Sequence, residues 1–136
     1  MKKPNSVSDF SAARKEHLLK KYRESLGLQS KIPYSRINVR RAYRYAADSP
    51  APRFWVSEER AAEVISKIMA DSSILDNMYR EKAEMYLEIY KRVMAIKKES
   101  PETPLGDIVF EVVNSPAPRF YLTWHSAKQL IKKSRV

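Results

Sequence analysis

One phrase is written twice in this chain. Ser49-Pro50-Ala51-Pro52-Arg53-Phe54 recurs unchanged as Ser115-Pro116-Ala117-Pro118-Arg119-Phe120, 66 residues later. The next three positions are conservative pairs: Trp55 with Tyr121, Val56 with Leu122, Ser57 with Thr123. Six consecutive identities, two of them prolines, are not expected by chance in 136 residues. The chain therefore reads as two related halves, and so long a period points to a duplicated module rather than a stacked solenoid. A half of roughly 65 residues is marginal alone, so the two are expected to share one core.

The doubled phrase also fixes local structure. Its four prolines hold the backbone extended and remove N–H donors. Two such segments related by a two-fold axis are expected to pair as a small two-stranded ribbon. Only two glycines occur, Gly27 and Gly106. That argues against a hairpin-rich β protein, and the remainder reads as helix. A basic lead over residues 1–8 precedes a single domain over 9–136. The first helix, capped by Ser8 or Ser11, carries Leu18, Leu19, Tyr22 and Leu26 to a stop at Gly27. A second helix is expected from Pro33 to Ala47. A third, capped by Ser57, reaches Ala70, with Glu58 and Glu59 favoured in its first turn by the helix dipole.

The spacing of Leu75, Met78, Tyr79, Met85, Tyr86, Ile89, Val93 and Ile96 predicts a long fourth helix over about 73–98. A fifth, opened by Thr103 and Pro104, runs to Val113; its Ile108–Val113 run also suits a strand by propensity. A sixth follows a Thr123 cap to Lys133. The expected fold is mainly α: two diverged helix–extended–helix halves, about 33–70 and 103–133, joined by the long central helix.

Net charge is +10, from 26 Lys and Arg against 16 Asp and Glu. It is unevenly spread. Residues 1–45 hold 12 basic and 3 acidic residues, 46–109 hold 9 and 12, and 110–136 hold 5 and 1. A pI near 9.8 with clustered charge is the footprint of a nucleic-acid binder. Arg36, Arg40 and Arg44 repeat every four residues, so they share a helix face, with Arg41 beside them and Lys31 before them. Like charges at this spacing repel, and no acid lies between Lys31 and Ala47. An anionic partner would offset that repulsion, and arginine grips phosphate bidentately. Lys128, Lys132 and Lys133 form a second basic cluster. These eight residues are the candidate nucleic-acid contacts. Arg53, Trp55, Arg119 and Tyr121 of the doubled phrase are a second candidate set, with hydrogen bonding and packing favoured for the arginines.

Catalytic patterns are thin. His17 and His125 have no motif around them, and no HExxH, P-loop, nucleophile elbow or GxGxxG occurs. Glu81, Glu84 and Glu88 alternate with bases and read as a solvated helix face. No metal or cofactor is expected, and the chain reads as non-enzymatic. With no cysteine and no apolar run near the ~18 residues a bilayer demands, it also reads as cytoplasmic. The doubled S-P-A-P-R-F phrase, followed by Trp or Tyr, resembles a segment of small bacterial proteins. That resemblance covers the two phrases and the helices after them, and it implies no activity. The expected function is an accessory or regulatory role in binding nucleic acid, DNA favoured over RNA, through basic helix faces. The alternative is an adaptor for a protein partner, an acidic one included, docking through the aromatic phrases.

Overall fold

Apolar residues spaced three and four apart build six α-helices in the computed structural model, which describes residues 7–29 and 38–134. They are α1 Val7–Leu28, α2 Val39–Asp48, α3 Glu58–Ala70, α4 Arg80–Glu99, α5 Leu105–Val113 and α6 Trp124–Ser134. Two caps sit where their hydroxyls predict. Ser57 accepts from the Arg60 amide at 3.1 Å, and Thr123 accepts from the Ser126 amide at 3.0 Å. The Ile108–Val113 run is helical: Ile108, Val109, Val112 and Val113 fall on one side of α5 and are buried.

The doubled phrases meet at the centre, equivalent residue against equivalent residue. Ala51 and Ala117 exchange both backbone hydrogen bonds, at 3.0 and 2.9 Å, as an antiparallel bridge. Phe54 donates to the Val113 carbonyl at 2.9 Å, and Phe120, its counterpart, donates to the Ala47 carbonyl at 3.2 Å. The rings obey the same exchange. Phe54 stacks with Tyr121 at 6.1 Å and Trp55 with Phe120 at 6.2 Å. These contacts are related by an approximate two-fold axis. The expected ribbon is reduced to this one bridge, because prolines flank each alanine and offer no N–H to extend the ladder.

The chain crosses over at this centre. The helix after the first phrase, α3, packs against α4 and α5; the helix after the second, α6, packs against α1 and α2. Each three-helix cluster thus takes its last helix from the other half. Helix α4, the long central helix, packs on α5 as α1 packs on α2.

Several boundaries differ from the expected ones. Val7 and Ser8 already belong to α1, and residues 1–6 lie outside the described residues. Helix α1 runs through Gly27, whose φ is not positive. One glycine costs a helix only about 1 kcal/mol, and Leu18, Tyr22, Ser25 and Gln29 go on burying one stripe to its end. Helix α2 starts at Val39 after an Asn38 cap, and Pro33 lies outside the described residues. The long fourth helix starts late. Ser72–Asn77 is a 3-10 turn capped by Asp71, Met78 is extended, and Tyr79 is 86% exposed rather than part of the stripe. Ser72, Ser73, Asp76 and Asn77 favour local turns over continued helix. Pro104, not Thr103, occupies the cap position of α5.

Arg92 of α4 pins the centre. Its guanidinium lies 5.0 Å from the Phe54 ring centroid, donates to the Pro116 carbonyl at 2.8 Å and pairs with Glu88 at 2.9 Å. Tyr121 has a φ of 58°, a left-handed value unique among the described non-glycine residues. Such a backbone costs roughly 1–2 kcal/mol. The stack on Phe54 and the Arg119 guanidinium 5.6 Å from the Tyr121 ring hold it there.

Trp55 is 8% exposed, and its indole Nε1 is buried with no hydrogen-bond partner. An orphaned buried donor costs about 1–3 kcal/mol. Trp55→Phe removes that donor along with some ring area, so its expected stability change is under about 1.5 kcal/mol. Trp55→Ala is expected to cost about 3–5 kcal/mol. Urea denaturation of the two variants checks both. A Phe variant as unstable as the Ala one would show that indole area, and not the orphaned donor, dominates at this position.

Candidate nucleic-acid interface

Helix α2 is anchored on one side so that its arginines point away on the other. Gln29, buried at the end of α1, accepts from the Asn38 amide at 2.9 Å and donates to its carbonyl at 3.3 Å. The Asn38 side chain then accepts from the Arg41 amide at 2.9 Å, starting the helix. Tyr22 of α1 stacks on Tyr43 at 4.8 Å, and the Tyr45 hydroxyl donates to Glu24 at 2.7 Å. That bond, the first cause, holds the Glu24 carboxyl below its usual range, and Lys21 adds to it. Ala42, Tyr43, Ala46 and Ala47 are buried, which leaves Arg40, Arg41 and Arg44 exposed.

Helix α6 extends this surface. Ala127 and Ile131 are buried, Lys132 and Lys133 are exposed, and Lys128 is half-buried. Trp124, Lys128 and Lys132 follow at four-residue spacing along one side. Arg40 crosses from α2 to place its guanidinium 4.7 Å from the Trp124 ring centroid. Arg44 and Trp124 line one open cleft of about 400 Å³. Arg40 and Arg44 of the first candidate cluster are thus brought beside the helix carrying Lys128, Lys132 and Lys133. Lys31 and Arg36 lie outside the described residues.

The electrostatics are lopsided on a symmetric frame. Helices α1, α2 and α6 carry 11 Lys and Arg and 4 acids, a net of +7; α3, α4 and α5 carry 8 and 9, a net of −1. Among the described residues, Arg40, Arg41, Arg44, Lys128, Lys132 and Lys133 make no ion pair. The single acid of α2, Asp48, stands four residues beyond Arg44 and is the natural partner for it. It pairs instead with Arg119 of the second phrase, at 3.0 Å. Arg119 also pairs with Glu84 at 3.3 Å, and Glu84 with Arg80 at 3.1 Å. One arginine of the doubled phrase therefore engages the acid that would otherwise offset one charge of the α2 row.

The second candidate set is occupied internally. The Arg53 guanidinium donates to the carbonyls of Phe54 at 2.9 Å and Val56 at 2.7 Å, and it lies over the Trp55 and Phe10 rings. Burial pulls its pKa down, and Glu58 opposes that. Phe54, Trp55 and Phe120 are buried, and Tyr121 is half-buried.

Three contributors were not singled out by the sequence. Trp124 had a readable signal, since it heads the Trp124-Lys128-Lys132 row. Arg92 and Glu84 had none for their central contacts, because Phe54 and Pro116, and Arg119, are remote in the chain. Among the described residues, no group of three or more His, Asp and Glu side chains is placed to hold a metal ion, and no helix is long and apolar enough to cross a membrane. No family model, curated protein or solved structure matches the chain.

Proposed function

We propose that the protein is a non-enzymatic nucleic-acid-binding accessory or regulatory protein. Its contact surface is the α2–α6 face with the adjoining side of α1. One observation carries the reading: two clusters of like architecture differ by eight units of charge, +7 against −1. Solubility alone does not require such segregation. Six cations on one side, with no ion pair among the described residues, stand available to phosphate. Contacts of this kind grip the backbone and tolerate any sequence. A docking role for the aromatic phrases has less support, since their rings are spent on one another.

Fluorescence anisotropy with labelled nucleic acid across salt concentrations tests the reading. If the six cations each meet a phosphate, log affinity falls against log salt with a slope of about −5, and affinity drops ~10³-fold between 50 and 200 mM. No binding at 50 mM salt overturns the proposal.

A further inference from the structure

We infer that the cleft at the start of α6 receives an unstacked nucleobase, so that the protein prefers single-stranded nucleic acid to duplex. The inference rests on the nucleic-acid reading above and narrows it. The cleft, about 400 Å³, lies at the edge of the basic surface, with Arg44, Asp48, Glu81, Arg119, Leu122 and Trp124 in its wall. That volume is in the range of small-molecule sites, roughly 300–1,000 Å³.

The wall is balanced in charge. Two guanidinium groups face two carboxylates, and Arg119 is already bonded to Asp48. A phosphate dianion or diester gains little net attraction there and is better placed on the rows outside. A base is different. It is neutral, and its edge carries both donors and acceptors. The carboxylates of Asp48 and Glu81 accept from amino and ring N–H groups, while Arg44 donates to carbonyl oxygens and ring nitrogens. Leu122 and Trp124 supply apolar and aromatic area for the ring.

The second observation is the Arg40–Trp124 pair. Trp124 is half-buried and lines the cleft, and the Arg40 guanidinium lies 4.7 Å from its ring centroid. Bases splayed from a strand stack on aromatic rings and on arginine planes alike. Lys128 and Lys132 continue from Trp124 along α6 and provide the track for the backbone on either side. An aromatic platform on a basic track is the arrangement that holds single strands without reading their sequence. In a duplex the faces are stacked and the edges paired, so the same base reaches the cleft only at the cost of extrusion.

The test uses the full chain with labelled oligo-dT, oligo-U, an abasic strand and a DNA duplex of equal length, at one salt concentration. The expected result is binding to an intact strand roughly tenfold tighter than to the duplex or the abasic strand, with Trp124 emission quenched. Trp124→Ala weakens intact-strand binding far more than duplex or abasic-strand binding, so the preference is lost, and Trp124→Phe keeps most of it. The oligo-dT and oligo-U arms decide between DNA and RNA as the source of the base. Equal affinity for intact and abasic strands overturns the inference, as does equal weakening of strand and duplex binding in Trp124→Ala. Absence of binding to every probe overturns the nucleic-acid reading with it. If Trp124→Ala lowers the melting temperature, Trp124→Phe and the abasic strand still decide.

Discussion

Phe54→Ala is expected to destabilise the protein by about 3–5 kcal/mol, enough to unfold much of a domain of ordinary stability. Phe54 is 1% exposed and does several jobs at once. Its ring stacks on Tyr121, its face receives Arg92, and its amide ties the first phrase to the end of α5. Truncation leaves a cavity where the chain crosses over, and it strips a buried ring from beneath a guanidinium. The left-handed backbone at Tyr121 also loses one of its two supports. Phe120→Ala, at the equivalent position, is expected to cost a similar amount through the Trp55 stack. The double variant should fall short of the sum, because both truncations open the same central space. Chemical denaturation of the three variants measures this. A loss below about 1 kcal/mol for either single variant would mean that the centre repacks and the phrase is not the keystone.

That central arrangement was half legible in the sequence. A period of 66 and four prolines foretold two extended segments meeting about a two-fold axis, and Ser57 and Thr123 announced the helices that follow. Which helix packs on which was hidden. Ile65 on α3 and Ile131 on α6 are buried whether each helix packs with its own half or crosses to the other, so periodicity reports burial without naming the partner. Identity of sequence also failed to predict identity of role. Arg53 and Arg119 occupy the same place in the same six-residue phrase. Yet Arg53 bonds to carbonyls of its own turn, whereas Arg119 reaches Asp48 and Glu84. The difference lies outside the phrase: residue 48 is Asp, and its counterpart 114 is Asn, which donates to Glu58 instead. The candidate surface was legible in part for a related reason. Arg40, Arg41 and Arg44 declare themselves by spacing, but Trp124 joins them only through the crossover that brings α6 against α2.

Reversing three charges on the α2–α6 face is expected to abolish nucleic-acid binding, a loss of ~10³-fold or more at 50 mM salt. The variant is Arg40→Glu, Arg44→Glu and Lys128→Glu, and it reduces net charge from +10 to +4, two units per reversal. Its proper control is Lys82→Glu, Lys91→Glu and Lys98→Glu on α4, three exposed lysines whose reversal gives the same +4. If binding were a property of total charge, the two variants would weaken alike. If it belongs to a surface, the first loses affinity outright and the second retains most of it with its salt slope intact. Stability separates the same alternatives from mere unfolding. The three α2–α6 residues carry no ion pair among the described residues, so their reversal leaves the melting temperature near that of the parent. Among the described residues the Arg40–Trp124 contact is the favourable ring contact given up, worth about 0.5–1 kcal/mol at an exposed site, and relief of the Arg40–Arg44 repulsion offsets part of it. Parallel loss in both variants would return the +10 charge to bulk electrostatics. Selective loss in the first would tie function to the crossover itself, since that is what gathers α1, α2 and α6 into one basic cluster and lets Arg119 take Asp48 away from the arginine row.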